Sequence, residues 1–203
     1  MKKMKLAAIF AGLVSVFTFS SCLNDGDSGP NYDLYEIVTV EEGSIFGGTV
    51  LKGDAWGYTY TPVASSVLAG LKASDGSYYK RVQVGIKLME GEAITEGKKS
   101  YKVSEVGLIA ILNYKDFNVQ SDTLRTDYAL VSLEDSNNKI WAINGYVNVP
   151  FTFKTKEQLS MNDFHLYAVE AKEDTLVTKL QQTKGADDAY QTGGALISFH
   201  MPF

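Results

Sequence analysis

The chain has 203 residues, a formal net charge of −5 and a single cysteine. An acidic chain whose Lys and Arg are scattered, with only "KTK" and "KK" as short runs, lacks the basic footprint of phosphate-backbone recognition, so no nucleic-acid partner is expected. A lone cysteine excludes a disulfide within the chain; stability rests on an apolar core, for which 12 Tyr, 10 Phe and 2 Trp are an ample supply.

The first element is a targeting segment. Lys2, Lys3 and Lys5 precede a run from Leu6 to Phe19 that is apolar apart from Gly12, Ser15 and Thr18, and small Ser20 and Ser21 follow. Positive charge, apolar stretch and small residues, in that order, make a secretory signal. The run falls short of the about 20 residues that span a bilayer, and no stop-transfer cluster follows it, which disfavours the rival reading as an uncleaved anchor. Phe19-Ser20-Ser21-Cys22 resembles a bacterial lipobox, with Phe in place of the commoner Leu. Residues 1–21 are then a lipoprotein signal peptide and Cys22 is the lipidated first residue of the mature chain; an ordinary signal followed by a free thiol is the alternative. One acyl chain holds a membrane only marginally, whereas a multiply acylated cysteine anchors durably.

Residues 22–32 open with "CLNDGDSG", which is small, flexible and acidic and has no apolar periodicity. Such a segment cannot offset its chain entropy by burial and reads as a tether. Acidic residues directly after the lipidated cysteine also resemble the surface-export signal of Bacteroidetes lipoproteins, so the expected location is the outer membrane, on its exposed surface. Asp25, Asp27 and Glu36 match positions of a calcium loop, but Pro30 stands where that loop needs Gly, and no amphipathic helix flanks it.

From Asp33 onward the chain reads as strands. "DLYEIVTV" alternates Leu34, Glu36 and Val38 against Tyr35, Ile37 and Thr39. "KRVQVGIKLM" sets Val82, Val84, Ile86 and Leu88 against Gln83 and Lys87. "VGLIAILNY" is continuously apolar, as in a strand buried on both faces. Period two with Val, Ile, Thr and Tyr enrichment marks strands. Turn signals stand at Ser74–Ser77, Met89–Glu92 and Asp135–Lys139. "TPVASSVLAGLKA" is the best helix candidate, kept short by Pro62 and Gly70. Polar residues interrupt the pattern over Asn113–Asp127. A second strand series follows: "YALVSL", "KIWAINGYVNVPFTF", "DFHLYAVE", "DTLVTKLQQ" and "ALISFHMPF", with "KEDT" as a tight hairpin turn. Close strands without intervening helices predict a small antiparallel sandwich, and the first half suits a small barrel.

These stretches together, the lipobox with "CLNDGD", "YEIVTV", "RVQVGIKL", "VGLIAIL", "WAINGYVNVPFTF", "FHLYAV", "DTLVTKL" and "ALISFHM", resemble the NigD-like lipoproteins of Bacteroidetes over nearly the whole mature chain. The resemblance implies an all-β architecture: an N-terminal OB-like barrel over residues 33–117 and a C-terminal immunoglobulin-like antiparallel β-sandwich over 118–203. The family takes its name from a bacteriocin-associated operon and has no established biochemical activity, and the shared motifs are strand patterns.

Catalytic chemistry finds no local signature. His165 and His200 alternate with apolar residues, Phe164 and Leu166 around the first, Phe199 and Met201 around the second, and are read as pointing away from the core. A zinc site needs three or four ligands, and no cysteine is left to contribute. There is no Gly-x-Ser-x-Gly elbow, and Asp187-Asp188 and Glu41-Glu42 are adjacent pairs that a strand would turn to opposite faces. No catalytic residue, metal or cofactor is expected, although a dispersed triad leaves no mark in spacing. The one suggestive constellation is "WGYTYTP". In a strand, Trp56, Tyr58 and Tyr60 would share a face, either as barrel core or as an exposed row that stacks sugar rings or anchors a protein. The reading is a lipid-anchored envelope protein with a non-catalytic binding role toward a glycan or an envelope protein. The alternatives are a structural or assembly component of an envelope complex and a hydrolase with dispersed catalytic residues.

Overall fold

The computed structural model describes residues 31–43, 48–117, 130–132, 139–155, 159–173, 175–183 and 191–201. They fall into two compact units whose boundary in sequence, at Tyr114 and Lys115, lies inside the strand Asn113–Asp116 that joins the sheet of the second.

The first unit is a closed five-stranded barrel. Its strands are β1 (Leu34–Glu41), β2 (Val50–Gly53), β3 (Thr59–Pro62), β4 (Arg81–Leu88) and β5 (Ser100–Ile111), ordered β1-β2-β3-β5-β4 and closed by β4 on β1. Every pairing is antiparallel except β3 with β5. This is the expected OB-like barrel. The helix candidate survives as one seven-residue 3-10 helix, Ser65–Leu71, between β3 and β4; it contributes buried Leu68 and Leu71. The alternation in β1 and β4 places Leu34, Val38, Val82, Val84 and Ile86 in the core, with Leu51, Tyr60, Tyr101 and Val103 from the other strands. Each such side chain contributes about 1.5–3 kcal/mol of burial.

The strand read as buried on both faces is not. Leu108, Ile109 and Ile111 of β5 are exposed. The reason is length: β3 pairs only with Ser100–Val103, so the second half of β5 has β4 as its one barrel neighbour.

The approach to the barrel is pinned by Tyr32. Gly85 of β4 and Gly107 of β5 are register partners. A Cβ on either would overlap the Tyr32 side chain, which covers both glycines. An aromatic ring laid over paired glycines restores the packing that they lack.

The second unit has β6 (Asn113–Asp116), β7 (Leu130–Ser132), β8 (Trp141–Ile143), β9 (Tyr146–Thr155) and β12 (Gln191–His200) in one sheet, ordered β6-β12-β9-β7 with β8 also on β9. A hairpin of β10 (Phe164–Lys172) and β11 (Thr175–Gln182) forms the second layer. Phe164 of the hairpin meets Phe151 and Phe153 of the sheet at ring-centroid separations of 4.8 and 4.9 Å. Aromatic pairs at this spacing pack in the favoured offset or edge geometries. The barrel-plus-sandwich, all-β architecture is therefore the one read from the strand patterns.

"KIWAINGYVNVPFTF", read as one strand, is two. Asn144 and Gly145 both have positive φ, 52° and 78°, and join β8 to β9 as a two-residue hairpin. Asn-Gly favours that turn because both central residues must enter the left-handed region. Pro150 in β9 lacks an N–H. It falls between the stretches of β9 that pair with β8 (Tyr146–Asn148) and with β7 (Thr152 and Phe153), where no donor is required. Among the other turns, Gly76 and Gly91 take positive φ at the first two predicted sites, and Glu173 does so in the β10–β11 hairpin. Most of Asp135–Lys139 lies outside the described residues.

Candidate functional site: an aromatic shelf at the end of the barrel

The "WGYTYTP" row is graded from core to solvent. Tyr60 lies in β3 with its side chain fully buried, so it is a core residue and not a ligand contact. Tyr58 precedes the strand, is partly buried and packs on the core cluster. Trp56 stands in the β2–β3 loop and is 50% exposed. Gly57, at a φ of 65°, breaks strand alternation between them, yet the rings still meet. Trp56 and Tyr58 are stacked with centroids 5.9 Å apart and planes 22° from parallel. Tyr58 meets Tyr101 edge-on at 5.0 Å and Tyr60 at 6.3 Å. Only the outermost ring offers a free face.

The loop that carries Trp56 is held from inside. Glu36 belongs to the inward face of β1 with Leu34 and Val38, and is 4% exposed. Its carboxylate accepts the N–H of Ala55 at 2.8 Å, the N–H of Trp56 at 3.4 Å and the Tyr60 hydroxyl. Three donors satisfy a group whose burial would otherwise be costly. Gly53 makes room for it: a Cβ there would overlap the Glu36 carboxylate. Burial pushes the Glu36 carboxyl above its ordinary range, against the opposing pull of those hydrogen bonds. Tyr60 is pushed up too, first by burial and then by its bond to Glu36.

The next residue is held by an ion pair. Asp54 receives both arms of the Arg81 guanidinium, at 2.8 and 2.5 Å, with side-chain exposures of 5% and 0%. Arg81 also donates to the Thr39 hydroxyl at 2.7 Å, across the β1–β4 register. The bidentate fork is the geometry that makes Arg the partner of choice for a buried carboxylate. Loop residues 54–56 are thus fixed at three successive positions by β1 and β4.

The rim of the shelf is polar. Lys52 of β2 donates to the Thr59 hydroxyl of β3 at 3.0 Å on the outer barrel face. Lys99, from the β4–β5 connection, donates to the Trp56 carbonyl at 3.2 Å and lies 5.2 Å from the Tyr58 ring centroid. Neighbouring Lys98 is paired with Glu92.

Asp54, Arg81 and Lys99 were not candidate site residues from the sequence. Glu36 alone left a signal, as an acid on the apolar side of an alternating strand. The same residue is the last position of the calcium-like spacing, and its commitment to Ala55, Trp56 and Tyr60 removes it from that role. Asp25, Asp27 and Pro30, like Cys22, lie outside the described residues. His165 is partly buried beside buried Phe164 and stacks on Tyr167 at 5.7 Å; burial, and then Lys115, hold its pKa below the ordinary value. His200 is exposed, 3.4 Å from Asp116. Among the described residues no three His, Cys, Asp or Glu side chains are grouped to hold a metal ion.

No protein-family model and no curated protein matches the chain. Some solved structures align with about four fifths of the chain. One, provisionally named a toxin-related protein, from Parabacteroides distasonis, is 18% identical, with 83% of this chain and 77% of that chain covered and a TM-score of 0.49. A provisionally named lipoprotein from Bacteroides fragilis is 13% identical over 82% and 77% of the two chains, with a TM-score of 0.46. An uncharacterized protein from Parabacteroides merdae has the same identity, coverage and score.

Proposed function

We propose that this chain is a lipid-anchored cell-envelope protein with a non-catalytic binding role, and that its ligand is a glycan received on the Trp56–Tyr58 shelf. The observation that carries the reading is the stacked pair itself. A half-exposed indole lies nearly flat on a tyrosine that is rooted, through Tyr60 and Tyr101, in the barrel core. An aromatic face offers apolar area at little entropic cost because its position is already determined. A sugar ring has an apolar face of C–H groups to lay on it and hydroxyls at its edge for Lys52, Thr59 and Lys99. The small size of the shelf and its polar rim favour a sugar over a protein partner, whose interface would need a far larger patch. Barrels of this topology commonly present ligand sites on the β2–β3 side and on the β4–β5 loop, which is support by fold analogy. Anchoring rests on the lipobox and tether, and the resemblance to NigD-like lipoproteins agrees with it; outer-membrane surface exposure follows from the acidic run after Cys22.

A glycan array probed with the full-length protein in detergent tests the binding role. Wild type should bind a defined set of glycans and Trp56→Ala should bind none of them. Equal binding by both proteins removes the shelf from the function. A Cys22→Ala chain from which residues 1–21 have been removed should be found in the soluble fraction of cells, and retention of that mature chain in the membrane would refute lipid anchoring.

A further inference from the structure

Building on the glycan reading, we infer that the shelf selects anionic sugars, with the ammonium of Lys99 as the group that recognises a carboxylate or sulfate on the ring stacked over Trp56. Lys99 is exposed and sits at the edge of the shelf. Its ammonium touches the Trp56 carbonyl and the Tyr58 ring, and among the described residues no carboxylate pairs with it. One of its three donors is used by the carbonyl, which holds the charge at the shelf and leaves two donors for a ligand.

The contrast with the surrounding charges supports the assignment. Lys98 is neutralised by Glu92. Arg81 is buried and committed to Asp54. The two acids under the shelf, Glu36 and Asp54, face inward and are occupied by Ala55, Trp56, Tyr60 and Arg81. They present no negative charge to a ligand on the outer side. In a chain of net charge −5, a cation beside the exposed aromatic ring with no carboxylate partner among the described residues gives a local preference that the whole-protein field opposes. Recognition therefore requires contact with the shelf and does not extend to polyanions in general.

The test uses the full-length protein in detergent and follows tryptophan fluorescence. The probes are a galacturonic acid oligomer, its fully methyl-esterified form and a sulfated galactose oligomer. The ester keeps the ring and removes the charge. Wild type should bind the acid about fivefold more tightly than the ester, as a contact with one exposed cation allows, with the preference falling as salt is raised. Lys99→Gln should erase the preference, bringing the affinities for acid and ester together; Lys99→Arg should restore it. Tighter binding of the sulfated oligomer than of the carboxylated one would assign the anion as sulfate and keep the proposal. Equal affinities for acid and ester, or a preference that survives Lys99→Gln, would overturn it while leaving the glycan reading intact. Failure of wild type to bind any sugar, here and on the array, would overturn both.

Discussion

The carboxylate of Glu36 in β1 and the phenol of Tyr60 in β3 are hydrogen-bonded inside the barrel, almost wholly shielded from solvent. The other bonds of that carboxylate run to the loop that bears Trp56. One buried acid therefore links barrel core, loop and shelf. Glu36→Ala would orphan two N–H groups and a hydroxyl, and should cost about 2–4 kcal/mol in urea unfolding, with a red shift of tryptophan emission as the loop loosens. Tyr60→Phe leaves the N–H contacts in place and should cost about 1–2 kcal/mol.

Burial holds the Glu36 carboxyl above the ordinary carboxylate range. Between the unfolded and folded values the native state binds more protons than the unfolded chain. The stability contributed by this group is therefore complete below the ordinary carboxylate value and declines as pH rises through the folded one. Unfolding of wild type and Glu36→Gln compared from mildly acidic to neutral pH should show the glutamine variant gaining relative stability as pH rises. A difference that does not change with pH contradicts the shift.

Removing Asp54 takes the bidentate carboxylate from the buried Arg81 guanidinium. Asp54→Ala should lose about 3–5 kcal/mol, since deleting one member of a buried ion pair is far worse than replacing both. Arg81→Met combined with Asp54→Leu should be less damaging than either change alone, and a double-mutant cycle measures the coupling.

Tyr32 and Gly85 make a second test of packing. Gly85→Ala drives a methyl into the Tyr32 ring and should cost about 1–3 kcal/mol by overpacking. In a Tyr32→Ala background the same change should cost much less. Additive losses would show that the two residues do not share space.

At the β8–β9 turn, Gly145→Val places a β-branched residue at a φ of 78°. A loss of about 1–2 kcal/mol is expected from the left-handed backbone alone. Replacing Asn144 by Gly, which enters that region freely, should be nearly neutral.

Much of the architecture was legible because period two is a local property. Val82, Val84 and Ile86 announce an inward face without reference to any other strand, and Asn144-Gly145 carries its turn within two residues, although the apolar run around it reads as a single strand. The shelf was legible only as a row of aromatics. Nothing in "WGYTYTP" tells that Tyr60 is sealed in the core while Trp56 reaches solvent, because that depends on where β3 begins and on Gly57. The exposure of Leu108, Ile109 and Ile111 was equally hidden, being set by the length of β3, a different strand.

By itself, then, the amino-acid sequence determined the strand periodicity and the acidic balance, and it carries the lipobox-like pattern at Cys22, since each is written in neighbouring residues. Tertiary structure decided which polar groups became internal. Glu36 meets Tyr60, Asp54 meets Arg81, and Lys99 reaches Trp56 across separations of 24, 27 and 43 residues. Barrel closure brings those partners together, and burial, by removing competing water, turns scattered charges into the supports of one exposed ring.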